Sequence, residues 1–188
     1  MIIFVFLATA SLVAKAQIDT TRIDIPMKDG KIFYEGIVET PNLTKVDLYN
    51  NAKQWFVDYF KSSKDVIQND DKDQGRIVGK GIIFISWKDN GSKGDYNDEI
   101  TIQVDVKDGK YRYRIYNMTI IRDLPYNAHT GQNPSIQFFA EDLINKLYNN
   151  GNLFLTKGQC RVVLQSMDVE TTATIASLEK AMKKPDNF

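Results

Sequence analysis

Two side chains in this sequence could act as a base or a nucleophile, and each residue type occurs only once. His129 lies in the polar stretch YNAHTGQNP, and Cys160 lies in TKGQCRVV. A histidine base needs a serine or cysteine within reach and a carboxylate that orients its ring. No nucleophile motif such as G-x-S-x-G accompanies either residue. We therefore interpret His129 as a solvated loop residue and expect no enzymatic activity.

Cys160 allows three interpretations. Its neighbours Lys157 and Arg161 could lower the pKa of the thiol if they approach the sulfur. A lone cysteine in an exported chain could also pair between two molecules, and it excludes an intramolecular disulfide. We favour a partly buried small hydrophobic residue. One histidine and one cysteine cannot supply the ligand spacing of a zinc site.

Three polar stretches could bind an ion or a phosphate. The acidic segments Asn69–Gly75 and Asp89–Glu99 are rich in the oxygen ligands that calcium prefers, but neither has the spacing of a calcium-binding loop. Their residues are also those of ordinary turns. The glycines of GRIVGKG, Gly75–Gly81, have no following helix whose dipole would hold a phosphate, so we interpret this stretch as a strand entry with a bulge or bend. We expect no cofactor and no metal.

The tetrapeptide KDGK occurs at Lys28–Lys31 and at Lys107–Lys110, each time between apolar runs. Asp-Gly in this context predicts a hairpin with a type I′ turn, in which both central residues have positive φ. A turn at Asp108 and Gly109 pairs residues whose numbers sum to 217. The expected pairs are Val106 with Tyr111, Val104 with Tyr113 and Ile102 with Ile115 on an apolar face, and Asp105 with Arg112 and Gln103 with Arg114 on a polar face.

The remaining pattern predicts helices and strands in a definite order. Apolar residues at helical spacing, after a capping pair of Thr44 and Asp47, predict a helix over Lys45–Lys61. A short strand near Val66–Asn69 and a long strand near Arg76–Trp87 follow, and the unbroken apolar run in the long strand indicates a strand covered on both faces. We expect a loop over residues 89–98, a second helix from Pro134 to about Asn149, and a helical tail over Ser166–Lys184. The apolar face expected for the second helix is Ile136, Phe139, Leu143, Ile144 and Leu147, and the buried tail residues expected are Ile175, Leu178, Ala181 and Met182.

The first sixteen residues have the character of a secretory signal peptide. Ile2 to Val13 is apolar but too short for a membrane span, and Ala14-Lys15-Ala16 is a cleavage pattern before Gln17. We expect residues 17–188 to form one domain without a membrane span. The start lacks the usual basic residue, so translation could begin upstream of Met1. Removal of Lys15 leaves a net charge of −1 on the mature chain, which gives no bulk attraction for nucleic acid or anionic lipid.

The order of strand, helix, four antiparallel strands and helix resembles a secreted bacterial family described as a domain of unknown function with a TATA-binding-protein-like fold. The similar segments are IPMKDGKIFYEGIVETPNLTKVDLYNNAKQWF, GRIVGKGIIFISW and the strand Tyr111–Ile121. The resemblance implies an α+β fold, an antiparallel sheet packed by helices, an additional C-terminal helix and an envelope location, and it transfers no functional residue. It does not imply DNA binding, because Arg112 and Arg114 are offset by Asp105 and Glu99.

These observations favour a non-enzymatic binding or interaction module of the bacterial envelope, periplasmic or extracellular, with an unidentified protein partner. One alternative is a carrier that holds a small apolar ligand between the first helix and the sheet, in a gap lined by Trp55, Tyr59 and Phe84. A second alternative is an enzyme of unknown type. The sequence leaves open whether the interface between helix and sheet is a filled core or a cavity.

Overall fold

The computed structural model describes residues 23–60, 66–125, 131 and 133–183. The signal sequence expected at residues 1–16 and the loop histidine, His129, lie outside these residues. Within them the elements are β1 (Met27–Lys28), β2 (Lys31–Ile32), β3 (Tyr34–Glu39), α1 (Lys45–Phe60), β4 (Ile67–Asp71), β5 (Arg76–Asp89), β6 (Ser92–Lys107), β7 (Lys110–Asp123), β8 (Ser135–Phe139), α2 (Ala140–Tyr148) and α3 (Lys157–Ala181).

An antiparallel sheet forms one layer of the described structure. Its strands lie in the order β3-β7-β6-β5-β4, and β8 pairs with β7 beyond the reach of β3. The three helices pack on one face, which we call the inner face. The short hairpin of β1 and β2 pairs separately. The expected α+β class, with an antiparallel sheet, packed helices and a C-terminal helix, is confirmed.

The register expected for the second KDGK hairpin is confirmed. β6 and β7 pair with numbers that sum to 217 from Lys107↔Lys110 to Thr101↔Tyr116, after which a bulge shifts the register by one residue. The expected turn type is right only for the first hairpin, where Asp29 and Gly30 have φ of 51° and 75°.

At the second turn Gly109 has a positive φ of 73° and Asp108 does not. The turn is held by tertiary contacts with the start of α1. The backbone N–H of Lys45 donates to Asp108 Oδ1 at 2.7 Å, and the N–H of Gly109 donates to the carbonyl of Leu43 at 3.0 Å. These contacts, and not the local Asp-Gly preference, decide the geometry.

The prediction of a loop over residues 89–98 is wrong. β5 continues to Asp89, turns at Asn90 and Gly91 with φ of 44° and 83°, and returns as β6 from Ser92. The dipeptide Asn-Gly is itself a strong hairpin signal, because both residues accept the positive φ of a two-residue turn. The acidic residues of this segment therefore lie along a strand.

The expectation that β5 is covered on both faces is also wrong. Its side chains alternate: Ile83 and Ile85 are buried, whereas Ile82 and Phe84 are 56% and 58% exposed. The helices cover the inner face of the sheet alone, so an apolar run on this strand places every second side chain in solvent.

The second predicted helix begins later than expected. Residues 135–139 form β8, and the helix spans only Ala140–Tyr148. The reason is a contact with a strand that is not adjacent in sequence. β3 pairs with β7 only as far as Ile115, so the later part of β7 has an open edge, which β8 fills by pairing with Thr119–Asp123.

Helices α1 and α3 begin with the capping interactions that their sequences favour. Asp47 Oδ2 accepts from the N–H of Thr44, and the Thr44 hydroxyl oxygen accepts from the N–H of Asp47. Thr156 and Gln159 form the same reciprocal pair at α3, which begins nine residues before the predicted tail helix. In the described part of the chain no helix is long and apolar enough to cross a membrane.

Candidate functional site

A ladder of charged side chains crosses the solvent side of the sheet, which we call the outer face. Asp105 on β6 accepts hydrogen bonds from Arg76 at 2.6 Å, Gln103 at 2.9 Å and Arg112 at 3.0 Å. Burial alone would raise the pKa of Asp105, but the bonds from Arg76, Arg112 and Gln103 hold it below the usual range. The ladder therefore fixes three neighbouring strands relative to each other.

The ladder continues to β3 through Arg114, whose Nε lies 2.7 Å from Glu35 Oε1. This hydrogen bond is the main cause of the lowered pKa of Glu35. Glu99, which the sequence placed against the arginines, instead pairs with Lys80 at 3.1 Å. The two outer-face arginines of β7 are thus held by carboxylates of the same sheet.

Apolar side chains share two cross-strand rows at the other end of the outer face. One row runs from Ile82 through Glu99 and Thr119 to Phe139, and the other runs from Phe84 through Asn97 and Ile121 to Gln137. We call Ile82, Phe84, Ile121 and Phe139 the outer patch. Phe139 is 58% exposed, like Phe84. Polar side chains separate the apolar residues within each row, and large apolar side chains exposed on an uncovered sheet face mark it as a candidate contact surface.

The interface between α1 and the sheet is filled. A Cβ on Gly79 would lie 2.6 Å from Cε1 of the Phe56 ring, and a Cβ on Gly81 would overlap the ring of Phe60. The glycines expected to mark a bend therefore serve mainly to let two aromatic rings rest on the backbone of β5. The bulge lies on the partner strand, where the register shifts between Ile67 and Asn69.

Two of the three predicted ligand-lining residues lie together, but not against the sheet. Trp55 stacks on Tyr59 with ring centroids 5.1 Å apart. Trp55 Nε1 donates to Ser177 Oγ at 3.1 Å, and the hydroxyl groups of Tyr59 and Thr174 lie 2.8 Å apart. With Asn51, Gln54, Asp58, Lys180 and Ala181, the aromatic pair lines a groove of about 330 Å³ between α1 and α3.

The third predicted lining residue, Phe84, lies elsewhere. Its position on β5 directs it to the outer face, and at the edge of β5 that β4 leaves unpaired it lines a separate groove of about 290 Å³ with Val162 and Val169 of α3. The expected gap lined jointly by Trp55, Tyr59 and Phe84 is therefore corrected: strand alternation puts Phe84 on the side of the sheet opposite α1.

Cys160 is free and fully buried. Burial raises the pKa of its thiol to about 11, which outweighs the opposing influence of Lys146. The thiol therefore remains protonated at neutral pH, as the interpretation of a buried small hydrophobic residue requires. Among the described residues, no three His, Cys, Asp or Glu side chains are grouped so that they could hold a metal ion.

Asp98 is a further candidate functional residue, and no sequence motif marks it. Its carboxyl is fully buried on the inner face, and neither oxygen has a hydrogen-bond partner. The signal was present in the strand alternation, because Asp98 occupies an inward position between Tyr96 and Ile100. Such a residue is expensive to bury, so its presence calls for an explanation.

Comparison with known families classifies one segment of the chain. Residues 34–120 match the sequence model of a domain of unknown function (DUF4468) with TBP-like fold. These residues form a DUF4468 domain. The matched segment runs from β3 through α1 to β7, and it contains the charged ladder and both β5 residues of the outer patch. The resemblance found in the sequence is confirmed.

Solved structures support the same fold for the DUF4468 domain and its C-terminal extension. A TBP-like protein from Parabacteroides distasonis is similar with a TM-score of 0.60 at 18% identity, over 82% of this chain and 97% of that one. A DUF4468 family protein from Bacteroides ovatus is similar with a TM-score of 0.64 at 19% identity, over 87% and 93%. No curated protein matches the chain. The expected TBP-like fold is therefore confirmed.

Proposed function

We propose that this DUF4468 protein is a non-enzymatic interaction module of the bacterial envelope, which binds a protein partner through the outer patch. The observation that carries the proposal is the exposure of Ile82 and Phe84, each more than half accessible and two residues apart on a sheet face that the described helices leave open. An exposed isoleucine and phenylalanine lose little conformational entropy when a partner orders them. Their transfer out of water into an interface is favourable.

The charged ladder supports this proposal by supplying a rigid frame for the patch. Arg76, Asp105, Arg112 and Glu35 pair with residues of their own sheet, so binding would not need to order these side chains. Polar groups beside an apolar centre match the usual anatomy of a protein interface. Export to the periplasm or cell surface, supported by the character of residues 1–16, belongs to the same proposal.

A photo-crosslinking amino acid at position 84 tests the proposal in the native host. We expect one envelope protein to be captured, and we expect the purified pair to bind at least about tenfold more weakly after Phe84→Ser. The matched control carries the crosslinker at Val46, which is 53% exposed on α1. Equal capture from positions 84 and 46, or unchanged affinity of the Phe84→Ser variant, would contradict the proposal.

A second candidate function, a carrier of a small ligand, is favoured by the groove at Trp55 and Tyr59. Its volume of about 330 Å³ lies in the range of small-molecule sites, and a stacked aromatic pair forms one wall. Native mass spectrometry of residues 17–188, purified from the host envelope, tests this candidate. We expect an additional mass that is lost after Tyr59→Ala and kept after Phe84→Ser. A bare protein mass would rule out a tightly bound cargo.

A further inference from the structure

Asp98 occupies an apolar position in the inner layer of the sheet. Asp98 pairs with Ile83 of β5 and with Ile120 of β7, and both of these side chains are buried. Both carboxyl oxygens lack hydrogen-bond partners among the described residues. A carboxylate in such a place has no donor among the described residues to stabilise its charge.

The polar groups that face Asp98 are acidic or already engaged. Glu141 of α2 is close enough to act on its charge, and so is the phenol of Tyr34 on β3. The Tyr34 hydroxyl donates its hydrogen to Asp168 Oδ1 of α3 at 2.7 Å. Ionised Asp98 would therefore be repelled by the charge of Glu141, and the Tyr34 hydroxyl is already engaged with Asp168.

This environment changes the protonation of Asp98. Burial, and secondarily the charge of Glu141, raises the pKa of Asp98 to about 8. The carboxyl is therefore mostly neutral at pH 7 and becomes charged as the pH rises through mildly alkaline values.

Glu141 also binds the short β1–β2 hairpin. Its Oε1 accepts the backbone N–H of Ile32 at 3.0 Å, and its Oε2 lies 3.9 Å from Nζ of Lys31. Glu141 thus fastens the β1–β2 hairpin to the first turn of α2, and its charge acts on the carboxyl of Asp98. Repulsion between Asp98 and Glu141 would first weaken the attachment of the hairpin to Glu141, because the hairpin consists of only two paired residues on each side.

We propose that Asp98 is a proton-controlled latch: its neutral form lets the β1–β2 hairpin and α2 pack against the sheet, and its ionised form separates them and admits water. Asp98 faces the side of the sheet opposite the outer patch, and the hairpin borders that patch because Lys31 Nζ lies 5.2 Å from the ring centre of Phe139. The latch explains why a residue that opposes folding when charged lies in the core.

The direction of the pH effect follows from proton linkage. In the unfolded or opened chain Asp98 ionises near its ordinary pKa of about 3.9. Between that value and the folded-state pKa of about 8, the closed form holds one more proton than the open form. Rising pH therefore favours opening, by up to about tenfold in the equilibrium constant per pH unit inside this window, and the effect ends above the folded-state pKa.

Hydrogen exchange of the protein at pH 6, 7 and 8, corrected for intrinsic exchange rates, tests the latch. In the unmodified protein we expect protection of residues 31–32 and of α2 to fall progressively with pH. Asp98→Asn should remove this trend, because the amide cannot ionise. Asp95→Asn, the same change at an exposed position three residues away on β6, should leave the trend intact.

Two results would overturn the proposal: an unchanged pH trend in Asp98→Asn, or a loss of protection spread evenly over the sheet. If Asp98→Asn does not fold, a carbon-13 titration of the Asp98 carboxyl in the unmodified protein decides the matter. A midpoint near 8, with a simultaneous change in the amide signals of Ile32 and Glu141, supports the latch. A carboxyl that is already ionised at pH 6 overturns it.

Discussion

The ring of Phe56 rests directly on the backbone of Gly79, so close that a Cβ at Gly79 would lie 2.6 Å from its Cε1 atom. This contact brings α1 against the first part of β5 and leaves no gap between them at this point. Aromatic helix residues and strand glycines therefore form a single packing unit.

Gly79→Ala should destabilise the fold by about 1–3 kcal/mol, because the added methyl group forces the Phe56 ring or the helix to move. Urea unfolding measures the change. Lys80→Ala, at the neighbouring outward position, is the control and should change stability by less than about 0.5 kcal/mol. The penalty of Gly79→Ala should shrink in a Phe56→Ala background; an equal penalty there would show that the two residues do not interact.

Neighbouring isoleucines on β5 should respond very differently to truncation. Ile83→Ala removes a side chain that is only 5% exposed and should cost about 2–5 kcal/mol, whereas Ile82→Ala should cost less than about 0.5 kcal/mol. Chemical unfolding of the two variants under identical conditions makes the comparison. Similar losses would mean that the outer face of β5 is covered, contrary to the structure.

Asp105→Ala should destabilise the protein by about 1–3 kcal/mol at pH 7, because Arg76, Arg112 and Gln103 lose a common acceptor. The pKa of Asp105 is lowered in the folded state, so its contribution is present above the unfolded pKa of about 3.9 and is lost as the pH falls. Unfolding curves at pH 7 and pH 3 give the free energy of unfolding of the variant and of the unmodified protein. The difference between the two proteins should be smaller at pH 3. Asp95→Ala, at an exposed site on the same strand, controls for the loss of a carboxylate.

Cys160 should react very slowly with a thiol reagent in the native protein. It is buried, and burial raises its pKa to about 11, so little thiolate is present at pH 8 and little of it is accessible. Because the chain has one cysteine, the absorbance change of the reagent reports on this site alone. Unfolding in urea should accelerate the reaction strongly. Rapid reaction without urea would contradict the buried placement.

The strand pairing around Asp108 and Gly109 could be predicted from the sequence because a one-residue slip would reverse every side chain from Ile102 to Tyr111. Helix α1 could also be predicted from the sequence, because its capping residues and the spacing of its aromatic residues mark it locally. These features depend on contacts between residues close in sequence, or on alternation along one strand.

The exposure of Phe84 and the strand state of residues 135–139 could not be predicted in this way. Whether an apolar run is covered on one face or two depends on where the helices pack. Whether residues 135–139 extend depends on the edge of β7 that β3 leaves unpaired. Both are properties of neighbours distant in sequence, and local propensity does not contain them.

The sequence by itself determined the α+β class, the register of the β6–β7 hairpin and the position of the first helix, because each is encoded by periodicity and turn chemistry. Only the tertiary structure decided the surroundings of each side chain: Trp55 and Tyr59 contact α3, Phe84 faces solvent, and Asp98 lies in the core beside Ile83 and Ile120. These surroundings arise because one packed arrangement has to bury the apolar side chains of the whole chain at once. The residues adjacent in sequence do not specify that arrangement.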